Sequence, residues 1–120
     1  MGNRFCHLGL ATKNLGAAKD FYSKVFDWEL SDTPGMDAPY TMIDTGQEPS
    51  GGMMVLPDPQ VPVSWTMYVE VDNVANTCGR IKELGGQIFK EPEEVPGMGT
   101  FAIVSDPQGA VFGLWTSAEA

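Results

Sequence analysis

Residues His7 to Phe26 read HLGLATKNLGAAKDFYSKVF and residues Thr66 to Gly85 read TMYVEVDNVANTCGRIKELG, and the two stretches align at a constant offset of 59. Asn14-Leu15 falls on Asn73-Val74, Leu10 on Val69 and Val25 on Leu84. Further on, Pro34-Gly35-Met36 recurs as Pro96-Gly97-Met98, and Tyr40-Thr41-Met42-Ile43 is echoed by Phe101-Ala102-Ile103-Val104. The chain is an internal duplication. A copy of about 55 to 60 residues buries too little surface to be stable alone, so the two copies are expected to share one core and one cavity.

Within each copy the period of the apolar residues changes in a fixed order. Phe5 to Ala11 is apolar on both alternating faces, as in a strand with a helix on one side and a cavity or sheet on the other. Asn14 then caps a predicted helix with Leu15, Ala18, Tyr22, Val25 and Phe26 at three- and four-residue spacing. In the second copy Asn73 caps, Val74, Cys78, Ile81 and Leu84 form the stripe, and Gly85-Gly86 ends the helix. Short β-favouring runs follow each helix: Trp28 to Leu30, Tyr40 to Ile43 and Met53 to Leu56, then Gln87 to Lys90, Thr100 to Val104 and Ala110 to Trp115. The order is strand, helix, strand, strand, strand, twice. The predicted organisation is a single domain over 1–120, with modules 4–56 and 64–116 joined by the proline-stiffened linker 57–63.

Composition narrows the function classes. At 120 residues and 42% hydrophobic content the chain builds one core. No apolar run approaches the roughly 18 residues of a membrane span, and no charged-then-apolar secretory pattern opens the chain, so a soluble cytoplasmic protein is expected. Cys6 and Cys78 are too few and too far apart for a disulfide framework or thiolate site and read as reduced thiols near the core. A net charge of −9, with seven scattered basic residues, argues against nucleic acid. There is no nucleophile elbow, phosphate-cradling glycine loop or spaced Cys/His pair.

Three motifs carry a resemblance over Phe5 to Trp115: the strand and capped helix from His7-Leu8-Gly9-Leu10 through Phe21-Tyr22, the run Val69-Glu70-Val71-Asp72-Asn73-Val74, and the Asp106-Pro107-Gln108-Gly109 turn before Val111 to Trp115. Together, in order and duplicated, they resemble the vicinal oxygen chelate superfamily of glyoxalase I, bleomycin-resistance proteins and extradiol dioxygenases. The resemblance implies an α+β fold of two tandem βαβββ modules, whose open curled mixed sheet surrounds a ligand cavity, in a homodimer. It also implies a divalent metal chelating vicinal substrate oxygens, with ligands from the first and last strand of each module. His7 fits that pattern; its counterpart at the same offset is Thr66, the second copy's last-strand position is Gly113, and the first copy offers only Gly51-Gly52-Met53-Met54. One imidazole does not hold a catalytic ion, so neither metal nor other cofactor is expected.

Alternation puts Thr66, Tyr68 and Glu70 on the face of Phe5, His7 and Gly9. His7 and Glu70 are therefore the candidate proton-transfer groups. Tyr40, Met42, Thr66, Tyr68, Phe101, Ile103, Val111 and Trp115 are the candidate ligand contacts, with Trp28 and Trp65 near the openings. An aromatic and methionine lining suits a flat or greasy small molecule. The glycine-bearing stretches 34–39 and 91–99 are candidate covers. Two readings follow: a metal-free small-molecule binder, or a lyase, isomerase or dioxygenase that is metal-dependent through an atypical site or metal-free through His7 and Glu70.

Overall fold

A computed structural model describes residues 2–33 and 39–118; most of the first candidate cover, 34–38, lies outside the described residues. The element order is β1 (Phe5–Thr12), α1 (Leu15–Val25), β2 (Glu29–Asp32), β3 (Tyr40–Asp44), β4 (Ser50–Val55), β5 (Ser64–Glu70), α2 (Val74–Glu83), β6 (Gln87–Val95), β7 (Gly99–Ser105) and β8 (Val111–Ser117). The eight strands form one sheet in the order β2-β3-β4-β1-β5-β8-β7-β6, an α+β half-barrel of two βαβββ halves. β1 runs parallel to β4 and β5 parallel to β8, while β1 and β5 meet antiparallel at the centre.

Both helices start where an asparagine satisfies a donor that the helix itself leaves unpaired. Asn14 Oδ1 accepts from the Ala17 amide at 3.0 Å, and Asn73 Oδ1 from the Asn76 amide at 2.9 Å. Gly85, at φ +97°, takes the left-handed turn that closes α2 and lets the Gly86 amide reach back to the Ile81 carbonyl at 2.9 Å. Each helix lies on the convex side of its own half. Leu15, Ala18 and Tyr22 of α1 pack on Leu10, Ile43 and Met53, while Val74 and Cys78 of α2 pack on Ala102, Val104 and Leu114. Burying an aliphatic side chain of this size contributes about 1.5–3 kcal/mol. The connector is tied down as well, because Val61 is buried in the concave-side cluster with Tyr40, Tyr68 and Phe101.

Several expectations need correction. A bulge in β1 shifts the register between Phe5 and His7, so that Cys6 and His7 are both buried and Phe5 is 72% exposed. Phe5 therefore leaves the face that simple alternation gave it, because the extra residue rotates the strand start. β4 begins at Ser50, since parallel pairing with β1 draws Gly51 and Gly52 into the sheet. Glu91 to Val95 belongs to β6 rather than to a loop. Pro92 is tolerated there because β6 is an edge strand, where a missing N–H need cost no ladder bond. Trp28 and Trp65 do not flank the cavity: they cluster on the convex side with Tyr22 of α1, at centroid distances of 5.8 and 5.4 Å.

Candidate ligand-binding site

The centre of the sheet carries the duplication as a local pseudo-twofold axis. Leu8 pairs with Met67 across β1 and β5, flanked by His7 opposite Tyr68 and Gly9 opposite Thr66, so residues related by the offset of 59 exchange places. On the outer neighbours Gly9 pairs with Gly52 in β4, and Tyr68 with Gly113 in β8. Gly52 is therefore the counterpart of Gly113. The four inward positions where a family metal would find its ligands hold His7, Thr66 and two glycines.

Aromatic rings occupy the space beside those glycines. A Cβ placed on Gly52 would lie 2.6 Å from Tyr40 Cζ, and one on Gly113 would lie 2.7 Å from Tyr68 Cγ. On the other side of the Tyr68 ring, a Cβ on Gly9 would come within 2.7 Å of its Cε1. Side-chain volume has moved from the β1, β4 and β8 positions into the two tyrosines. His7 meets Tyr68 edge-on at 5.0 Å and lies parallel to Trp115 at 6.2 Å, while Phe101 adjoins both tyrosines.

A divalent ion does not fit this donor set. Such a site uses about three protein ligands, commonly imidazole, thiolate or carboxylate. Here one imidazole faces a neutral hydroxyl and two positions without side chains. No group of three or more His, Cys, Asp or Glu among the described residues is placed to hold an ion.

What the centre does hold is a hydrogen-bonded chain. Tyr40 Oη and His7 Nε2 lie 3.0 Å apart in a buried setting, and the Tyr40 and Tyr68 hydroxyls interact. Burial disfavours a charge on each member. It lowers the His7 pKa to about 4, so the imidazole is neutral at pH 7, and it raises both phenols, Tyr40 being drawn partly back by the bond with Tyr68. Burial likewise pushes up the neighbouring Cys6 thiol, which makes it a poor nucleophile. The group has neutral donors and acceptors and no fixed charge.

Glu70 stands apart from this group. It ends β5, where Arg4 Nε donates to Oε1 at 2.9 Å and Arg4 Nη2 to Oε2 at 3.4 Å, and its side chain is 36% exposed. The strand-end carboxylate is clamped by a surface guanidinium rather than presented to a buried cavity. Thr66, Tyr68 and Ile103 are packed around a hollow of about 10 Å³, too small for more than one water. Tyr40 and Phe101 also border a separate hollow of about 210 Å³ near the connector, and Val111 packs against the concave core.

His7, Tyr40, Met42 and Trp115 come together around an inner chamber of about 60 Å³, completed by Cys6, Val95 and Met98. Met42 and Met98 also line a wide groove of about 740 Å³ along β2, β3 and the turn after β6, with Asp44, Gln47 and Pro96 among its walls. Val95 and Met98 lie in the stretch 91–99 expected to cover the cavity, though not among the expected ligand contacts, and Cys6 was not expected at the site. Met98 carried a signal, since it lies in the repeated Pro-Gly-Met turn; Cys6 needed the bulge and Val95 the extended edge strand.

Comparison with known proteins gives a consistent family. Residues 4–114 match the model of the Glyoxalase/Bleomycin resistance protein/Dioxygenase superfamily. The putative glyoxylase CFP32 of Mycobacterium tuberculosis is 40% identical over 75 residues, which cover 62% of this chain and only 29% of that protein. Lactoylglutathione lyase of Escherichia coli O157:H7 is 30% identical, over 88% of this chain and 87% of that one. The crystal structure of methylmalonyl-CoA epimerase from Mycobacterium tuberculosis superposes with a TM-score of 0.65 at 15% identity, covering 96% of this chain and 88% of that chain, a likeness of fold alone.

Proposed function

The chain belongs to the glyoxalase/bleomycin resistance protein/dioxygenase superfamily, and from that premise we propose that it binds a small apolar or aromatic molecule without a catalytic metal. The observation that carries this reading is the pairing of Tyr40 with Gly52 and of Tyr68 with Gly113, which leaves a neutral aromatic floor where chelating side chains would stand. Beside that floor, the inner chamber is walled mainly by apolar and aromatic side chains, and the groove that adjoins it sets Met42, Ile43, Pro96 and Met98 beside polar walls that include Asp32, Asp44 and Glu48.

The binder is a homodimer in the cytoplasm in this proposal, with no nucleic-acid or membrane partner. Support comes from the convex side of the β1/β5 seam beyond the Leu10–Trp65 pair on which α1 packs. Phe5, Leu8 and Met67 are exposed there around a largely apolar hollow completed by Pro49 and His7. Leu8 and Met67 sit beside the pseudo-twofold axis, a favourable place for a self-complementary contact.

A second reading, a lyase, isomerase or dioxygenase of the same superfamily, draws on the kinship with the Escherichia coli lyase. His7 would serve as its proton-transfer group. The lowered pKa of His7, about 4, which makes it a weak base, and the Arg4 clamp on Glu70 favour the binding reading.

Native mass spectrometry of freshly purified protein tests these points in one measurement. The expected spectrum shows twice the chain mass, no stoichiometric metal, and added mass from a retained or supplied aromatic compound. A monomer that carries one metal ion per chain would overturn the proposal.

A further inference from the structure

We propose that the Tyr40–His7 pair reads a single oxygen, hydroxyl or carbonyl, at the end of a flat aromatic ligand whose ring lies in the groove beyond Met42 and Met98. The inference rests on the binding reading and adds the chemical feature that the ligand must carry.

Four observations lead to it. First, the chamber of about 60 Å³ is far smaller than the groove of about 740 Å³ that it adjoins, so it suits the end of a ligand whose bulk lies in the groove. Second, His7 and Tyr40 supply its hydrogen-bonding side-chain groups, because the Trp115 indole N–H is already given to Ser117 Oγ at 3.1 Å and the other walls are sulfur or hydrocarbon. Third, Met42 and Met98 belong both to this chamber and to the outer groove, so a ligand with its end group inside has its body between thioethers that adapt to a flat face. Fourth, a phenol offers one donor and two acceptor positions. The bonds to His7 and Tyr68 use two of the three on Tyr40, and one remains for a ligand. Whether that last position gives or takes a proton follows the arrangement of protons along His7, Tyr40 and Tyr68, so the pair accommodates a hydroxyl or a carbonyl.

A site built this way rejects a ligand that lacks the oxygen, because the partnered groups would face hydrocarbon. Equilibrium dialysis with 2-naphthol and 2-methylnaphthalene, nearly equal in size, reads the effect. The naphthol is expected to bind roughly tenfold more tightly, the worth of one net hydrogen bond, although the methyl compound is the more apolar. The preference should disappear in Tyr40→Phe, which keeps the ring beside Gly52 and removes only the hydroxyl.

A second readout needs no variant: the ¹⁵N signals of His7, the chain's one histidine, are expected to move with 2-naphthol and to stay in place with 2-methylnaphthalene. Equal binding of both compounds to the wild-type protein would overturn the oxygen assignment while leaving the binding reading intact. A naphthol preference retained by Tyr40→Phe would overturn the assignment to Tyr40. Failure of both compounds to bind at all would remove the binding reading as well.

Discussion

Gly113→Ala is expected to destabilise the protein by about 3 kcal/mol, at the upper end of what overpacking a core costs. The added methyl would fall within 2.7 Å of Tyr68 Cγ, and the ring cannot retreat. Tyr68 is 2% exposed, closes on Gly9 on its far side, and has its hydroxyl tied to that of Tyr40. A loss of that size is a large share of the roughly 5–15 kcal/mol that holds a domain together. Gly79→Ala in α2 is the matched control, because a Cβ there meets nothing within 4 Å. It should gain about 0.5–1 kcal/mol from helix propensity alone. Urea unfolding of the two variants beside the wild type measures both, and equal, small effects would mean that Tyr68 does not fill the position beside Gly113. Gly113→Glu, the carboxylate of the family pattern, should do worse than alanine, since it adds a buried charge to the same clash.

Acid should cost the protein about 3 kcal/mol through His7 alone. The folded pKa, about 4, lies below the ordinary value of 6.5, so between those values the unfolded chain binds one proton more than the folded one. The stabilising contribution is complete above pH 6.5 and is lost as pH falls through 4. Its size follows from about 1.4 kcal/mol per unit of difference. Asp32, whose carboxylate is held down by its bonds from Lys19 and Thr41, acts below its ordinary value of 3.8 and so outside this window. Denaturant midpoints from pH 7.5 to 4.5 should fall steeply in the wild type and much less in His7→Asn. A wild-type curve as flat as the variant's would show that His7 titrates normally.

The fold was legible because it is written twice. Apolar stripes after Asn14 and Asn73, and the matching short runs that follow, carry the element order without any tertiary information. What escaped depends on partners remote in sequence. Ser50-Gly51-Gly52 has turn composition and becomes a strand by pairing with β1 on one side and β3 on the other. Pro92 reads as a loop residue until β6 is known to lie at the sheet edge. The bulge beside Cys6 is a property of the β1/β5 register, so alternation carried Phe5 to the wrong face.

The site was half legible for a different reason. Period two tells which residues face inward but not whether they line a space or fill it. Tyr68, Phe101 and Ile103 do face the concave side, yet they are packed core. The clue was the set of small residues across from the large ones: Gly9, Gly52 and Gly113 are where the volume of Tyr40 and Tyr68 had to go. Arg4, which holds Glu70, precedes the aligned stretch that begins at His7.

The central claim is that tyrosines have replaced metal chemistry at the heart of this superfamily fold, and the lone histidine reports on it directly. Its imidazole ¹⁵N signals at pH 7, recorded before and after one equivalent of Zn²⁺, should be those of a neutral ring and should not change. A shift complete at one equivalent, matched by stoichiometric zinc in elemental analysis that disappears in His7→Ala, would contradict the account.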